Sequence, residues 1–142
     1  MLTTRHLLER KGSQVYSIRP EDHVINAIQL MSDKHVGALL VMRGAELVGI
    51  VSERDYARKV ILLGRSSAET RVSEIMSSPV TTVTPAYTVN ECMKIVTEQR
   101  VRHLPVVEEG RVLGVVSIGD LVKAVIEEQQ QQIEQLERYI TS

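Results

Sequence analysis

The chain of 142 residues is long enough for one domain, or for two half-domains that share a core. A formal net charge of −1 gives no positive field toward nucleic acid or anionic lipid, so neither a nucleic acid nor a membrane is an expected partner. A single cysteine excludes an intramolecular disulfide. No signal-peptide pattern opens the chain and no apolar run approaches about 18 residues, so we expect a cytoplasmic protein.

The first half of the chain alternates helix-like and strand-like patterns. After Pro20, apolar residues recur with the i, i+3, i+4, i+7 spacing of a buried helical face. Continuous apolar runs on both sides of a polar turn predict a hairpin next. The expected elements are a helix over 2–11, a strand over 15–18, a helix after Pro20, strands over 37–42 and 47–51, and a helix from Ser52 through Leu63.

The second half repeats this order. Thr88 and Glu91 have the spacing of a capping box, which predicts that a helix starts there. The expected elements are one helical turn over 72–76, a strand over 80–83, a helix from 88, strands over 104–107 and 112–116, and a last helix from Ser117 to about Tyr139.

The last helix ends in an apolar stripe. Ile126, Ile133, Leu136 and Ile140 follow one another at steps of 7, 3 and 4 residues, as on one face of a helix. This pattern fits a helix that lies on its own domain, and it fits equally a contact with another molecule.

The two halves share more than an order of elements. The segment from Gly49 to Asp55 returns 65 residues later as the segment from Gly114 to Asp120, and the match extends without a gap across 15–61 and 80–126. Such a match indicates a duplicated strand–helix–strand–strand–helix unit. We therefore expect an α+β fold with two sheets packed face to face and helices outside, divided into domains 1–71 and 72–142.

The duplicated segment has a chemical meaning of its own. A strand that ends at Ser52 or Ser117 points the free backbone N–H groups of the next helix into a cleft, where they suit an anion. An Asp one turn later can accept both hydroxyls of a ribose. Gly49 leaves space for a close approach. A Ser-x-x-Asp pair is also a helix cap that needs no ligand, and both interpretations can hold together.

These features resemble a pair of CBS domains, known as a Bateman module. The resemblance covers residues 15–125 and includes Arg100-Val-Arg-His-Leu-Pro-Val106, a segment typical of that family. It implies two βαββα repeats packed through their sheets with pseudo-two-fold symmetry, plus a short N-terminal helix and an extended C-terminal helix. It also implies a non-catalytic regulatory module that binds AMP, ADP, ATP or NAD in clefts between the repeats, forms a homodimer and relays occupancy to a partner protein.

The resemblance also implies roles for particular residues. Arg102 and His103 should bind the phosphate of a nucleotide whose ribose lies on Ser52 and Asp55, with Arg54 assisting. Its base should lie near the backbone of Thr81, Thr82 and Val83. The other cleft should combine Ser117 and Asp120 with Ser17, Gly37 and Ala38, and without basic side chains it should prefer adenosine or a dinucleotide over ATP.

Other functions compete with this hypothesis. A constitutive dimerisation module with unused clefts is the alternative. An enzyme is not expected, because no base–nucleophile pair is visible, and neither a catalytic residue nor a catalytic cofactor is predicted. The four histidines lack metal-ligand spacing, so no metal is expected, and Cys92 lies on a buried helical face as a small core residue.

Overall fold

A computed structural model describes residues 1–141 and confirms the α+β class. In chain order its helices and strands are α1 (Thr4–Lys11), β1 (Ser17–Ile18), α2 (Val24–Lys34), β2 (Ala38–Arg43), β3 (Glu46–Ser52), α3 (Glu53–Tyr56, continued by a π-helical turn Ala57–Ile61), a 3-10 turn (Val72–Glu74), α4 (Val89–Gln99), β4 (His103–Glu108), β5 (Arg111–Ser117) and α5 (Ile118–Thr141).

The chain forms two compact units that do not coincide with the two halves of the sequence. The repeat-1 unit consists of residues 14–81. The repeat-2 unit consists of residues 1–13 together with the residues from 82 onward. The N-terminal segment thus folds with the second repeat, and residues 72–81 stay with the first, whereas the sequence division was drawn at 71/72.

The repeat-1 unit has a three-stranded sheet in the order β1-β2-β3, with β1 parallel and β3 antiparallel to β2. Its core joins Val24 and Met31 of α2 to Val41 and Val51 of the sheet. α2 begins at Val24, four residues after Pro20, because His23 still has an extended backbone. The predicted helix through Leu63 was too long: the helical turns end at Ile61, and Leu63 is exposed.

In the described part of the repeat-2 unit, the sheet is the two-stranded β4-β5. The predicted strand over 80–83 was wrong: its only bridge to the sheet in the structure joins Val83 to Val106. The cause is Pro105, which stands where the first repeat has Leu40. The Leu40 N–H donates to the Tyr16 carbonyl at 3.1 Å, but a proline has no N–H with which to repeat that bond.

In each unit, a side chain from outside the sheet covers a glycine of the sheet. In the repeat-1 unit, Met76 lies over Gly49 and leaves no space for a Cβ atom there. In the repeat-2 unit, Leu8 of α1 takes that position over Gly114. The hydroxyl of Thr4 also donates to the Thr84 carbonyl at 2.6 Å, which fastens α1 to its unit.

The last helix, α5, is anchored only near its start. Leu121 and Ala124 are buried, in the same core as Val96 of α4. From Gln129 to Thr141 every residue is exposed. Among residues 1–141, the helices all lack the length or the apolar character that crossing a bilayer requires.

Candidate functional site

The two predicted Ser–Asp pairs have the same geometry. In the first repeat, the Asp55 carboxylate accepts hydrogen bonds from the Ser52 N–H at 2.9 Å and from its hydroxyl at 3.0 Å, both at Oδ2. The Asp55 N–H returns a bond to Ser52 Oγ at 3.2 Å. Ser117 and Asp120 repeat the three bonds at 2.8, 3.0 and 3.2 Å. The capping interpretation is therefore confirmed in both repeats, and one oxygen of each carboxylate is occupied by its cap.

In the repeat-1 unit, a lysine occupies the second oxygen as well. Lys59 lies one turn after Asp55, and its Nζ is 3.2 Å from Asp55 Oδ1. The same ammonium group donates to the Ile75 carbonyl at 2.9 Å. A ribose that binds Asp55 through both oxygens would therefore have to share Oδ1 with Lys59 or displace it.

In the repeat-2 unit, the lysine comes from the other end of the chain. Lys11, the last residue of α1, donates to Asp120 Oδ2 at 2.6 Å and to the Val115 carbonyl at 2.9 Å. The bonds from Lys11 and Ser117 all reach Oδ2. Burial alone would raise the pKa of Asp120, but the hydrogen bonds from Lys11 and Ser117 and the charge of Lys11 outweigh it, so this pKa lies below its ordinary value.

The strand opposite each pair carries different side chains in the two repeats. Ala38 pairs with Ser52 across the first hairpin, and His103 pairs with Ser117 across the second. The preceding residue accepts a backbone bond from the first residue of the following helix, at 3.0 Å for Gly37 and 2.9 Å for Arg102. The site in the repeat-1 unit is thus uncharged at these two positions, and the site in the repeat-2 unit is basic.

The surroundings of His103 lower its pKa. Burial lowers its pKa first, and the nearby charges of Lys11 and Arg102 lower it further, while Asp120 opposes them. Arg102 itself is exposed. The repeat-2 unit therefore brings together Lys11, Arg102, His103, Ser117 and Asp120.

The remaining predicted residues have varied surroundings. Ser17 is exposed on β1, and Arg54 is exposed on α3. Thr81 is half-buried and Thr82 is exposed. Val83 is buried, and β4 uses both of its backbone groups: its N–H donates to the Pro105 carbonyl at 3.0 Å, and its carbonyl accepts from the Val107 N–H at 2.8 Å. The N–H of Val83 is therefore already used by β4 and is not available to a purine edge.

Metal and thiol chemistry find little support in the described residues. Between residues 1 and 141, no three His, Cys, Asp or Glu side chains are placed to hold one metal ion. Cys92 is fully buried, as expected of a core residue, and burial followed by the charge of Glu91 raises its pKa to about 11. The thiol is therefore protonated at neutral pH and a poor nucleophile.

Sequence reasoning missed both lysines. Lys59 had a usable signal, because a lysine four residues after an aspartate lies on the same helix face. Lys11 had none, because 109 residues separate it from Asp120.

Comparisons with known proteins agree with this architecture. The model of the CBS domain family matches residues 4–61 and 72–127. The chain is 42% identical over 125 residues to the "CBS domain-containing protein CBSX3, mitochondrial" of Arabidopsis thaliana, a match that covers 84% of this chain and 61% of that protein. It is 30% identical over 109 residues to the "CBS domain-containing protein YhcV" of Bacillus subtilis, covering 77% of each.

A solved structure shows the same fold. It is described as "a putative signal-transduction protein with CBS domains" from Burkholderia ambifaria, and it aligns with a TM-score of 0.86 and 50% identity over 89% of this chain and 96% of that one. The duplicated hairpins, the paired Ser–Asp caps and these matches lead to one conclusion: the chain belongs to the CBS-domain family and carries two CBS domains in tandem.

Proposed function

We propose that this protein is a non-catalytic regulatory module that binds adenosine-containing nucleotides and relays their presence to a partner protein. One observation carries the proposal: both repeats hold an aspartate in the first turn after β3 or β5, half-buried and backed by its own serine. An aspartate fixed in this way can accept the two hydroxyls of a ribose. The likeness to a signal-transduction protein supports the regulatory role.

The charge pattern supports a phosphorylated ligand. Arg102 is exposed beside the half-buried His103 and presents a planar fork of donors that suits a phosphate. AMP, ADP, ATP and NAD all combine this group with a ribose. Gly37 and Ala38 carry no charge, but the expectation that the Asp120 cleft has no basic side chain was wrong, because Lys11 lies on Asp120.

The first test is binding to the whole chain. AMP, ADP, ATP, NAD and adenosine are titrated against the protein by calorimetry and by thermal unfolding, with GMP as the base control. A ligand at 100 times its Kd should add about 2.7 kcal/mol to the free energy of unfolding. A melting temperature that does not change with any of the adenine compounds would contradict the proposal.

The residue test uses Arg102→Ala. Loss of a charge-assisted contact, worth about 1.5–3 kcal/mol, should weaken AMP binding roughly tenfold to a hundredfold. Arg111→Ala is the matched control, because Arg111 is exposed at the opposite end of the second hairpin. Equal AMP affinity in both variants would remove Arg102 from the site.

A double-mutant cycle identifies which aspartate, Asp55 or Asp120, binds the same ligand molecule as Arg102. We expect Asp55→Ala to be coupled to Arg102→Ala in AMP binding, and Asp120→Ala to add independently. Coupling to Asp120 instead would exchange the two assignments.

The alternative function, a constitutive dimerisation module, has one observation in its favour. Both aspartates already hold a lysine ammonium, Lys59 on Asp55 and Lys11 on Asp120. In that function the ion pairs are permanent and no ligand replaces them. The dimerisation alternative would be rejected if the wild type binds an adenine nucleotide and Asp55→Ala or Asp120→Ala abolishes that binding.

We also propose that the functional molecule is a homodimer, as the family resemblance implies, and that it acts in the cytoplasm. Light scattering at high micromolar concentration tests the first statement, and a strict monomer would contradict it.

A further inference from the structure

The second half of α5 buries none of its side chains. Residues 129–141 form about 20 Å of helix in which every side chain is exposed. Helices of this length are marginal in water without packing against another surface. The segment therefore needs a partner if the whole length of α5 is to stay helical.

One face of α5 has the pattern of a coiled-coil seam. The positions on this face follow one another at alternating steps of four and three residues, which is the heptad spacing of positions d and a, and all of them except Gln129 are apolar. The seam consists of Val122 (d), Ile126 (a), Gln129 (d), Ile133 (a), Leu136 (d) and Ile140 (a).

The seam is exposed throughout. Its apolar members range from 42% exposed at Val122 to 78% exposed at Ile140. A shallow open groove at the start of the seam lies along Val122 and Ile126, beside Gly119. Gly119 is seven residues before Ile126 and so holds a seam position without a side chain, which leaves room for a side chain from a partner.

The residue types select the partner. Isoleucine at position a with leucine at position d favours two parallel strands over higher assemblies. The seam contains no charged residue, so it fits a copy of itself. The flanking positions agree, because in a parallel pair Gln132 stands beside Glu137 of the second copy, where its amide can donate to the carboxylate, and no like charges meet.

Gln129 decides the orientation. In a parallel, in-register pair it faces the same glutamine of the second copy, and the two amides can bond to each other. In an antiparallel pair it would face Ile133 and lose hydrogen bonds on burial. A single polar residue in an apolar seam fixes register in this way.

We propose that residues 122–140 form a parallel two-stranded coiled coil with a second copy of this chain. The coil gives the proposed homodimer a defined surface, and it holds both copies with the same ends together.

The first experiment measures the mass of the full chain in solution across concentrations. The wild type should have about twice the monomer mass of 15.9 kDa. The seam variant Ile133→Glu with Leu136→Glu should return to the monomer mass, because it places charges inside the seam. Gln131→Glu with Gln135→Glu adds the same charge on the outer face and should remain a dimer.

The outcomes separate two ideas. A wild type that is monomeric at every concentration would overturn both the homodimer and the coil. A seam variant that stays dimeric, with an unchanged melting temperature of the CBS repeats, would overturn the coil alone and leave the homodimer standing.

A disulfide test decides the orientation. Under mild oxidation Leu136→Cys should link two chains completely, because the same d positions face each other in a parallel coil. Gln135→Cys, on the outer face, should not. If Leu136→Cys fails and the double variant Ile126→Cys with Leu136→Cys links instead, the pair is antiparallel and the proposed orientation is wrong.

Discussion

At the residue scale, the two aspartates illustrate how one local motif is used twice with different neighbours. The serine caps have the same hydrogen bonds in both repeats because each depends on two residues only three positions apart in sequence. The lysines differ because one lies on the same helix as its aspartate and the other arrives from α1. The caps could therefore be predicted from sequence. The ion pair of Lys59 with Asp55 could also have been predicted from its four-residue spacing, whereas the ion pair of Lys11 with Asp120 could not.

We predict that removing these lysines exposes the carboxylates to ligand. Lys59→Met should raise the affinity of Asp55 for adenosine severalfold, and Lys11→Met should do so for Asp120, because the ribose no longer competes with an ammonium group. Each change should cost at most about 1 kcal/mol of folding stability, since both ammonium groups are partly exposed.

Calorimetry with adenosine measures the effect in each single variant. Lys94→Met is the control, because Lys94 is exposed on α4 and is not the lysine paired with either aspartate. A weaker adenosine affinity in the lysine variants would mean that the ammonium groups contact the ligand instead of excluding it.

At the element scale, the hydrophobic patterns predicted most helices and strands because local periodicity determines which face of an element is buried. The capping box of α4 was also confirmed, with Thr88 accepting from the Glu91 N–H at 3.0 Å. The strand over 80–83 failed because its partner, Pro105, lacks a donor, and that loss becomes visible only when the pairing register is known.

Two glycines provide a prediction about the covering segments. A Cβ atom at Gly114 would approach Leu8 Cδ2 to 2.6 Å, so the Leu8 side chain must shift from its packing between α1 and β5. Gly114→Ala should therefore speed tryptic cleavage after Arg10 and Lys11. A Cβ atom at Gly49 would meet Met76 and, at 3.2 Å, the Ser77 carbonyl, so Gly49→Ala should instead destabilise the fold by about 1–3 kcal/mol.

Limited proteolysis with mass spectrometry reads the first variant, and thermal unfolding reads the second. The wild type is the reference for both measurements. Unchanged cleavage in Gly114→Ala would show that α1 does not depend on this packing.

At the scale of the whole molecule, the two repeats were predictable because they recur at a constant offset of 65 residues. The membership of the compact units was not, because residues 1–13 carry no repeat signal and meet the second repeat only in three dimensions. The relation of Arg102 and His103 to Asp55 stays a prediction.

Stability should depend on pH in two stages. His103 has a folded pKa below its ordinary value of 6.5, so the unfolded chain takes up this proton first and the free energy of unfolding falls as the pH drops below about 6.5. Asp120 has a folded pKa below its ordinary value of 3.8, so its contribution is present above that pH and is lost as the pH falls through the folded pKa.

Urea unfolding between pH 8 and 5 measures the first stage. His103→Gln should flatten the curve in that range. His35→Asn should not, because His35 is exposed and its φ of 55° suits asparagine. The same slope in His103→Gln as in the wild type would assign the loss of stability to other groups.

The placement of α1 has a consequence for how the chain is made. Chain synthesis proceeds from the N-terminus, so residues 14–81 are made as one continuous segment before the residues from 82 onward. Lys11, in contrast, can donate to the Val115 carbonyl only after that residue, 104 positions later, has been synthesised. During synthesis the nascent chain should therefore carry a finished repeat-1 unit and an unattached amphipathic N-terminal segment, which docks only after β5 has left the exit tunnel.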